Sequence, residues 1–160
     1  MKPLDEILKM EDPGEYLYEY AYINERLERK WEELLLSLGD PRWLYWYIKY
    51  VIKGRWLEAE KYIKKNPKWT YWYARNIIGG RWKEAEEYIK KNLHWAYQYI
   101  KDIIKDRWKE AEEYIKKSPK WVYWYARYVI EDRWLEAEEY IKKDSYCWQL
   151  YCNYFDIDEP

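Results

Sequence analysis

A period of 26 residues governs this chain. Arg55-Trp56, Arg81-Trp82, Arg107-Trp108 and Arg133-Trp134 fall in register. So do Glu58-Ala59-Glu60, Glu84-Ala85-Glu86, Glu110-Ala111-Glu112 and Glu136-Ala137-Glu138, and so do Trp43, Trp69, Trp95 and Trp121. A fixed period of this length marks a repeat architecture. Each unit is one supersecondary element that cannot bury its apolar face alone, so neighbouring units must stack.

Each unit reads as two helices. The first starts after Asp40-Pro41, Asn66-Pro67 or Ser118-Pro119. A polar N-cap followed by Pro at the first helical position is a start signal, because that position has no N–H bond to lose. The third unit, Asn92-Leu93, keeps the cap without the proline. A two-residue break follows at Lys53-Gly54, Gly79-Gly80, Lys105-Asp106 and Glu131-Asp132, where Gly suits the turn and Asp can cap what comes next. The second helix is expected from Arg81 to about Lys91 and equivalently elsewhere, its closing lysines complementing the helix dipole.

Projected at about 100° per residue, the first helix of the second unit collects Trp69, Thr70, Tyr73, Ala74, Ile77 and Ile78 on a wide apolar arc. The second helix has a narrower stripe of Trp82, Ala85, Tyr88 and Ile89. The first helix is therefore expected to be the more buried layer. The fold class that follows is all-α, an α-solenoid of tandem helical hairpins with degenerate terminal caps. It is organised as one continuous domain: an acidic cap with a degenerate first repeat over residues 1–40, four repeats over 41–144, and a capping helix with an acidic tail over 145–160.

In the N-terminal cap, Tyr18-Glu19-Tyr20-Ala21 echoes Tyr71-Trp72-Tyr73-Ala74, and Trp31 is expected in the slot of the second-helix tryptophan. At the C-terminus, Cys147 takes the Trp slot and Cys152 the Ala slot, and Asp156, Asp158 and Glu159 close the chain with charge. The two cysteines, five apart on one helix, point apart and do not suit a disulfide. They read as reduced thiols of an intracellular, cytoplasmic protein. Met1–Met10 has no apolar core of a signal peptide, and no apolar run is long enough to span a bilayer.

The repeat Pro-x-Trp-x-Tyr-x-Tyr-Ala-x-x-Ile-Ile-x-Gly-Arg-Trp-x-Glu-Ala-Glu-x-Tyr-Ile resembles the short Trp- and Tyr-rich helical repeats of uncharacterised proteins from large bacteriophages and giant viruses, over roughly residues 41–155. The resemblance implies a viral setting, hence the host-cell cytoplasm, and no defined activity. Units this regular also fit a consensus-designed sequence.

Enzyme chemistry is not expected, and neither is a cofactor. The single histidine, His94, fills a slot held elsewhere by Arg42, Lys68 and Lys120, which suits a polar-face substitution better than a general base. The chain has no zinc spacing and no glycine-rich phosphate loop. The recurring glutamate pairs point to a lattice of salt bridges with Arg and Lys rather than to general acid–base carboxylates. The arginine ladder, Arg55, Arg81, Arg107 and Arg133, sits where a helix dipole disfavours a cation. Its compensation is either a carboxylate, with Glu58 and its equivalents in reach by spacing, or a bound anion, with the carboxylate favoured.

The most informative feature is the stripe opposite the apolar arc. It reads Arg42-Trp46-Lys49-Tyr50, Lys68-Trp72-Arg75-Asn76, His94-Gln98-Lys101-Asp102 and Lys120-Trp124-Arg127-Tyr128. Three units place Trp where the pattern asks for a polar residue, and these slots vary more than the core slots. In repeat proteins the varying face is the usual binding face. The alternative is that the superhelix buries the stripe as further core. On the first reading, Arg42, Trp46, Lys49, Tyr50, Lys68, Trp72, Arg75, Lys120, Trp124, Arg127 and Tyr128 form a non-enzymatic binding surface. A protein partner suits Trp, Tyr and Arg anchors. A nucleotide or short single-stranded nucleic acid suits aromatics alternating with cations. A structural or assembly role is the third alternative. Charge is uneven: residues 1–40 carry 5 Lys/Arg against 11 Asp/Glu, whereas the four units carry +5, +3, +1 and −1. A local positive field therefore lies inside a chain of net charge −1.

Overall fold

A computed structural model describes residues 1–158, so Glu159 of the acidic tail lies outside the described residues. The fold is an all-α helical repeat, with no strand among the described residues. Short α1 (Leu4–Ile7) precedes α2 (Pro13–Asn24) and α3 (Arg29–Leu38). The repeats then alternate α4 (Pro41–Tyr47), α5 (Leu57–Ile63), α6 (Pro67–Tyr73), α7 (Lys83–Ile89), α8 (Leu93–Tyr99), α9 (Lys109–Ile115), α10 (Pro119–Tyr125) and α11 (Glu138–Ile141). A 3₁₀ turn over Leu135–Ala137 leads into α11, and α12 (Ser145–Phe155) closes the order. The chain divides into two compact units, Met1–Ala85 and Glu86–Pro160. In the first, α4 packs on α2, α5 and α6; in the second, α10 packs on α9, α11 and α12.

The helix starts follow the polar residues. Asp12, Asn66, Asn92 and Asp144 each accept the backbone N–H three residues on, and Asp40 accepts that of Arg42. Ser118 caps without a side-chain bond.

The second half of each first helix departs from the α pattern. Ile48–Ile52, Ala74–Ile78, Ile100–Ile104 and Ala126–Ile130 are π-helical. The amides of Lys53, Gly79 and Lys105 bond the carbonyls five residues back, at 2.7, 2.9 and 2.7 Å. The wider turn moves Ile77 and Ile78 out of the sealed core into half-buried positions.

Each π turn ends on a left-handed residue: Lys53, Gly79, Lys105 and Glu131, with φ of 57°, 73°, 57° and 58°. Only one of the four is glycine. A side chain in this region costs roughly 1–2 kcal/mol, partly offset by the flexibility glycine would add to the unfolded chain. Lys105→Gly is therefore expected to stabilise the protein by about 0.5–1 kcal/mol, read as a raised denaturation midpoint. A lowered midpoint would mean that the lysine side chain holds the turn.

The second helices begin later than expected. α7 starts at Lys83 rather than Arg81, and in α5 and α9 the N-cap is the tryptophan itself, Trp56 and Trp108, without a side-chain cap bond. Asp106 and Asp132 do not cap these helices; each accepts the N–H of the next residue, at 2.6 Å.

A buried tyrosine holds successive hairpins together. Tyr47, Tyr73, Tyr99, Tyr125 and Tyr151, 26 residues apart, are all 0% exposed. Four of them pack on the tryptophan that follows: Tyr47 on Trp56, Tyr73 on Trp82, Tyr99 on Trp108 and Tyr125 on Trp134, with centroids 4.9–5.6 Å apart. The hydroxyls reach back to the preceding hairpin. Tyr125 donates to Glu112 Oε1 at 3.2 Å and accepts the Trp108 N–H at 2.8 Å. Tyr73 does the same with Glu60 and Trp56, and Tyr151 with Glu138 and Trp134. Tyr99 donates to Glu86.

The degenerate first repeat keeps this lock and identifies its own slots. Tyr47 donates to Glu32 at 2.6 Å and accepts from Leu27 at 3.4 Å. Leu27, not Trp31, therefore stands where the tryptophan stands elsewhere. Trp31, one residue before Glu32, falls in the slot of Ala59. Two extra residues between Glu32 and Tyr47, and one more between Leu27 and Glu32, move the register.

Candidate functional site: the aromatic–lysine face of the first helices

The arginine ladder is a structural element in three of its four rungs. Arg55, Arg107 and Arg133 each place a bidentate fork on Glu60, Glu112 and Glu138, with both bonds at 2.8–2.9 Å. The partner is the second glutamate of Glu-Ala-Glu, not Glu58 or its equivalents. The first glutamate plays a minor part: Glu136 approaches Arg107 at 3.7 Å. Each of these three forks is thus occupied by a carboxylate that also accepts the hydrogen bond of the tyrosine hydroxyl. The hydrogen bonds they donate to these carboxylates hold the Arg55 and Arg107 guanidinium groups even more firmly protonated than usual.

The same lock shifts the tyrosines. Burial first, and Glu138 to a lesser degree, push the Tyr151 phenol up to about 12. Tyr47, Tyr73 and Tyr125 rise further, again chiefly through burial. An unfolded tyrosine loses its proton near 10. Below that pH both states are neutral and the stabilisation is complete. Between about 10 and 12 the unfolded phenol ionises while the folded one does not, so stability falls as pH rises. Tyr47, Tyr73, Tyr125 and Tyr151 are expected to ionise only as helical circular dichroism is lost. Ionisation of these four phenols before any loss of helix would contradict the lock.

The stripe residues take three different environments. Arg42 is committed inside the first unit: it bonds Asp12 at 2.7 Å and Asp40 at 3.0 Å and lies 4.4 Å over the Trp43 ring. Its charge is answered locally, which separates it from the other cations of the stripe. Trp46, Trp72 and Trp124 are half-buried, neither sealed in the core nor standing free. Trp46 stacks on Tyr50 at 5.5 Å, and Trp124 stacks on Tyr128 at 5.2 Å. The partners are four residues apart, which places them on one helix face. Arg127 donates to the Tyr123 hydroxyl at 2.6 Å and lies 4.4 Å over Tyr154, and Arg75 donates to the Tyr71 hydroxyl.

The half-buried tryptophans are walls of open clefts between consecutive first helices. In the first unit a cleft of about 340 Å³ between α4 and α6 is lined by Tyr45, Trp46, Lys49, Lys68, Trp69 and Trp72. In the second unit a cleft of about 410 Å³ between α8 and α10 contains Tyr97, Gln98, Lys101, Lys120, Trp121 and Trp124, and adds His94 and Tyr128. The Lys49 ammonium lies 5.2–5.8 Å from the Tyr45, Trp46 and Tyr50 rings, and that of Lys68 lies 5.0 Å from Trp69. A third cleft, between α2 and α4, is aromatic without cations: Tyr18, Tyr22, Trp43, Trp46 and Tyr50.

Sequence reasoning missed two groups here. Tyr45, Tyr71, Tyr97 and Tyr123 were absent from its arc and stripe, yet they are buried under the stripe, and Tyr45 accepts a 2.8 Å bond from Asn76. Their strict recurrence was the available signal. Trp69 and Trp121, assigned to the core, show one edge in the clefts.

His94 sits edge-on to Trp95 and Trp121, at 4.8 and 6.2 Å. Cys147 and Cys152 are free thiols on α12. No group of three or more His, Cys, Asp or Glu among the described residues is placed to hold a metal ion. Among those residues, too, no helix is long and apolar enough to cross a membrane. No protein-family model matches the chain, and no curated protein or solved structure matches it either.

Proposed function

We propose that this chain is a non-enzymatic binding module that engages another protein through the aromatic–basic face of its first helices. The observation that carries the reading is the state of Trp46, Trp72 and Trp124. They are half-buried walls of open clefts, and indoles in that position offer large contact area at low conformational cost. Arginines that could have made a catalytic or phosphate-binding fork are spent on Glu60, Glu112 and Glu138. The resemblance of the repeat to those of large-phage and giant-virus proteins supports a viral protein acting in the host-cell cytoplasm.

A nucleotide or short single-stranded nucleic acid is the second reading. It is favoured by the two lysines on each of two clefts.

The test is to pan a random peptide-display library against the chain, with counter-selection on Trp46→Ala/Trp72→Ala. Enrichment of ligands that the double variant no longer retains supports the reading. Enriched ligands that bind both forms alike would remove this face as the site. Binding of an oligothymidylate, with no peptide enriched, would turn the reading to nucleic acid.

A further inference from the structure

The cleft between α4 and α6 and the cleft between α8 and α10 are the same site built twice. Tyr45, Lys49, Lys68, Trp69 and Trp72 return as Tyr97, Lys101, Lys120, Trp121 and Trp124, each 52 residues on, and the sixth slot changes from Trp46 to Gln98. We infer that each is a docking pocket for an acidic peptide segment that carries an aromatic anchor, one pocket in each compact unit. This rests on reading the first-helix face as a binding surface.

The occupant follows from what lines the clefts. Two tryptophans and a tyrosine accept a planar apolar side chain and exclude water around it. Two lysines, one from each helix, supply positive charge at the rim. Among the described residues no carboxylate lines either cleft; the nearest influence is Asp102, which helps raise the Tyr97 phenol after burial and Tyr128. That contrasts with Arg42, whose groove holds Glu11, Asp12 and Asp40. The charge the clefts lack is negative, so the complement brings it.

A phosphate backbone is served less well. The Trp69 amide at the start of α6 already bonds Asn66, at 3.3 Å, and the Arg75 guanidinium already donates to Tyr71. Two flexible lysines remain, without the fork or amide nest that positions a phosphate. Carboxylates flanking an aromatic anchor need only that diffuse charge.

The two pockets are not equal. Gln98 stands in the slot of Trp46, whereas His94 and Tyr128 line only the α8–α10 cleft, so the two pockets are expected to differ in affinity by about tenfold, the effect of one anchoring contact.

The experiment is calorimetric titration of the full chain with acetyl-Glu-Glu-Phe-Glu-Glu-amide. The expected result is two unequal sites per chain. Lys49→Ala/Lys68→Ala should abolish one site and Lys101→Ala/Lys120→Ala the other, with helical circular dichroism unchanged in both. Replacing Phe by Ser in the peptide should weaken binding at least tenfold. No saturable binding, binding indifferent to all four lysines, or equal binding of the Ser peptide would each overturn the inference. So would displacement of the peptide by an oligothymidylate at lower concentration. The broader reading fails separately. Library ligands that depend on Trp46 and Trp72 but carry no acidic residues would end this inference and leave that reading standing.

Discussion

Replacing Trp108 by alanine is expected to cost about 3–5 kcal/mol, the price of a large cavity in a packed interior. Trp108 is 1% exposed. Its ring packs on Tyr99 at 5.6 Å and its amide bonds the Tyr125 hydroxyl, so one side chain lies between two rungs of the tyrosine ladder. For a chain of this size the loss corresponds to a melting temperature lower by about 10 °C. Trp72→Ala removes as many atoms from a half-buried cleft wall and is expected to cost about 1 kcal/mol or less. Thermal unfolding of the two variants side by side decides the matter. Equal losses would make the stripe core.

Glu112→Ala is the second large expected loss, about 3 kcal/mol. The Glu112 side chain is 8% exposed, takes both prongs of the Arg107 fork and accepts the Tyr125 hydroxyl. Removing it strands a buried phenol and a guanidinium that is only 35% exposed. The cost comes from unpaired buried polar groups more than from the net worth of the ion pair. Glu110→Ala, in the same Glu-Ala-Glu motif but exposed, is expected to stay within about 0.5 kcal/mol of wild type. Denaturant unfolding of the pair separates the two glutamates. A larger loss at Glu110 would contradict the network.

These two variants also mark where the sequence was legible. The period, the proline-led starts and the aligned tryptophans made the hairpin repeat plain, because stacking repeats reuse the same side chain at the same contact. The partner of the arginine was not legible. Arg55 precedes the first turn of α5, so helical spacing rules do not apply to it, and the fork reaches Glu60 across an irregular entry.

The π turns were hidden for a related reason. Projecting residues at 3.6 per turn assumes the helix type, and one extra residue per turn leaves no mark on composition. The clefts needed tertiary placement: nothing in the spacing of Lys49 and Lys68 says that they flank one opening. The stripe itself was legible, since indoles in polar slots are a local anomaly. Whether it was core or surface was not, because that depends on how far α4 and α6 stand apart. Arg42 matches its stripe neighbours in spacing, and only the fold sets Asp12 and Asp40 beside it.

The most direct measurement is equilibrium affinity for a peptide selected on this face, followed against salt concentration. It compares wild type, Lys49→Ala/Lys68→Ala and Trp46→Ala/Trp72→Ala. The account predicts a shallow salt slope, a moderate loss in the lysine variant and a loss of about 2 kcal/mol or more in the tryptophan variant, whose melting temperature stays near wild type. Unchanged affinity in the tryptophan variant would contradict it. So would a steep salt slope governed by the lysines alone, the signature of a polyanion.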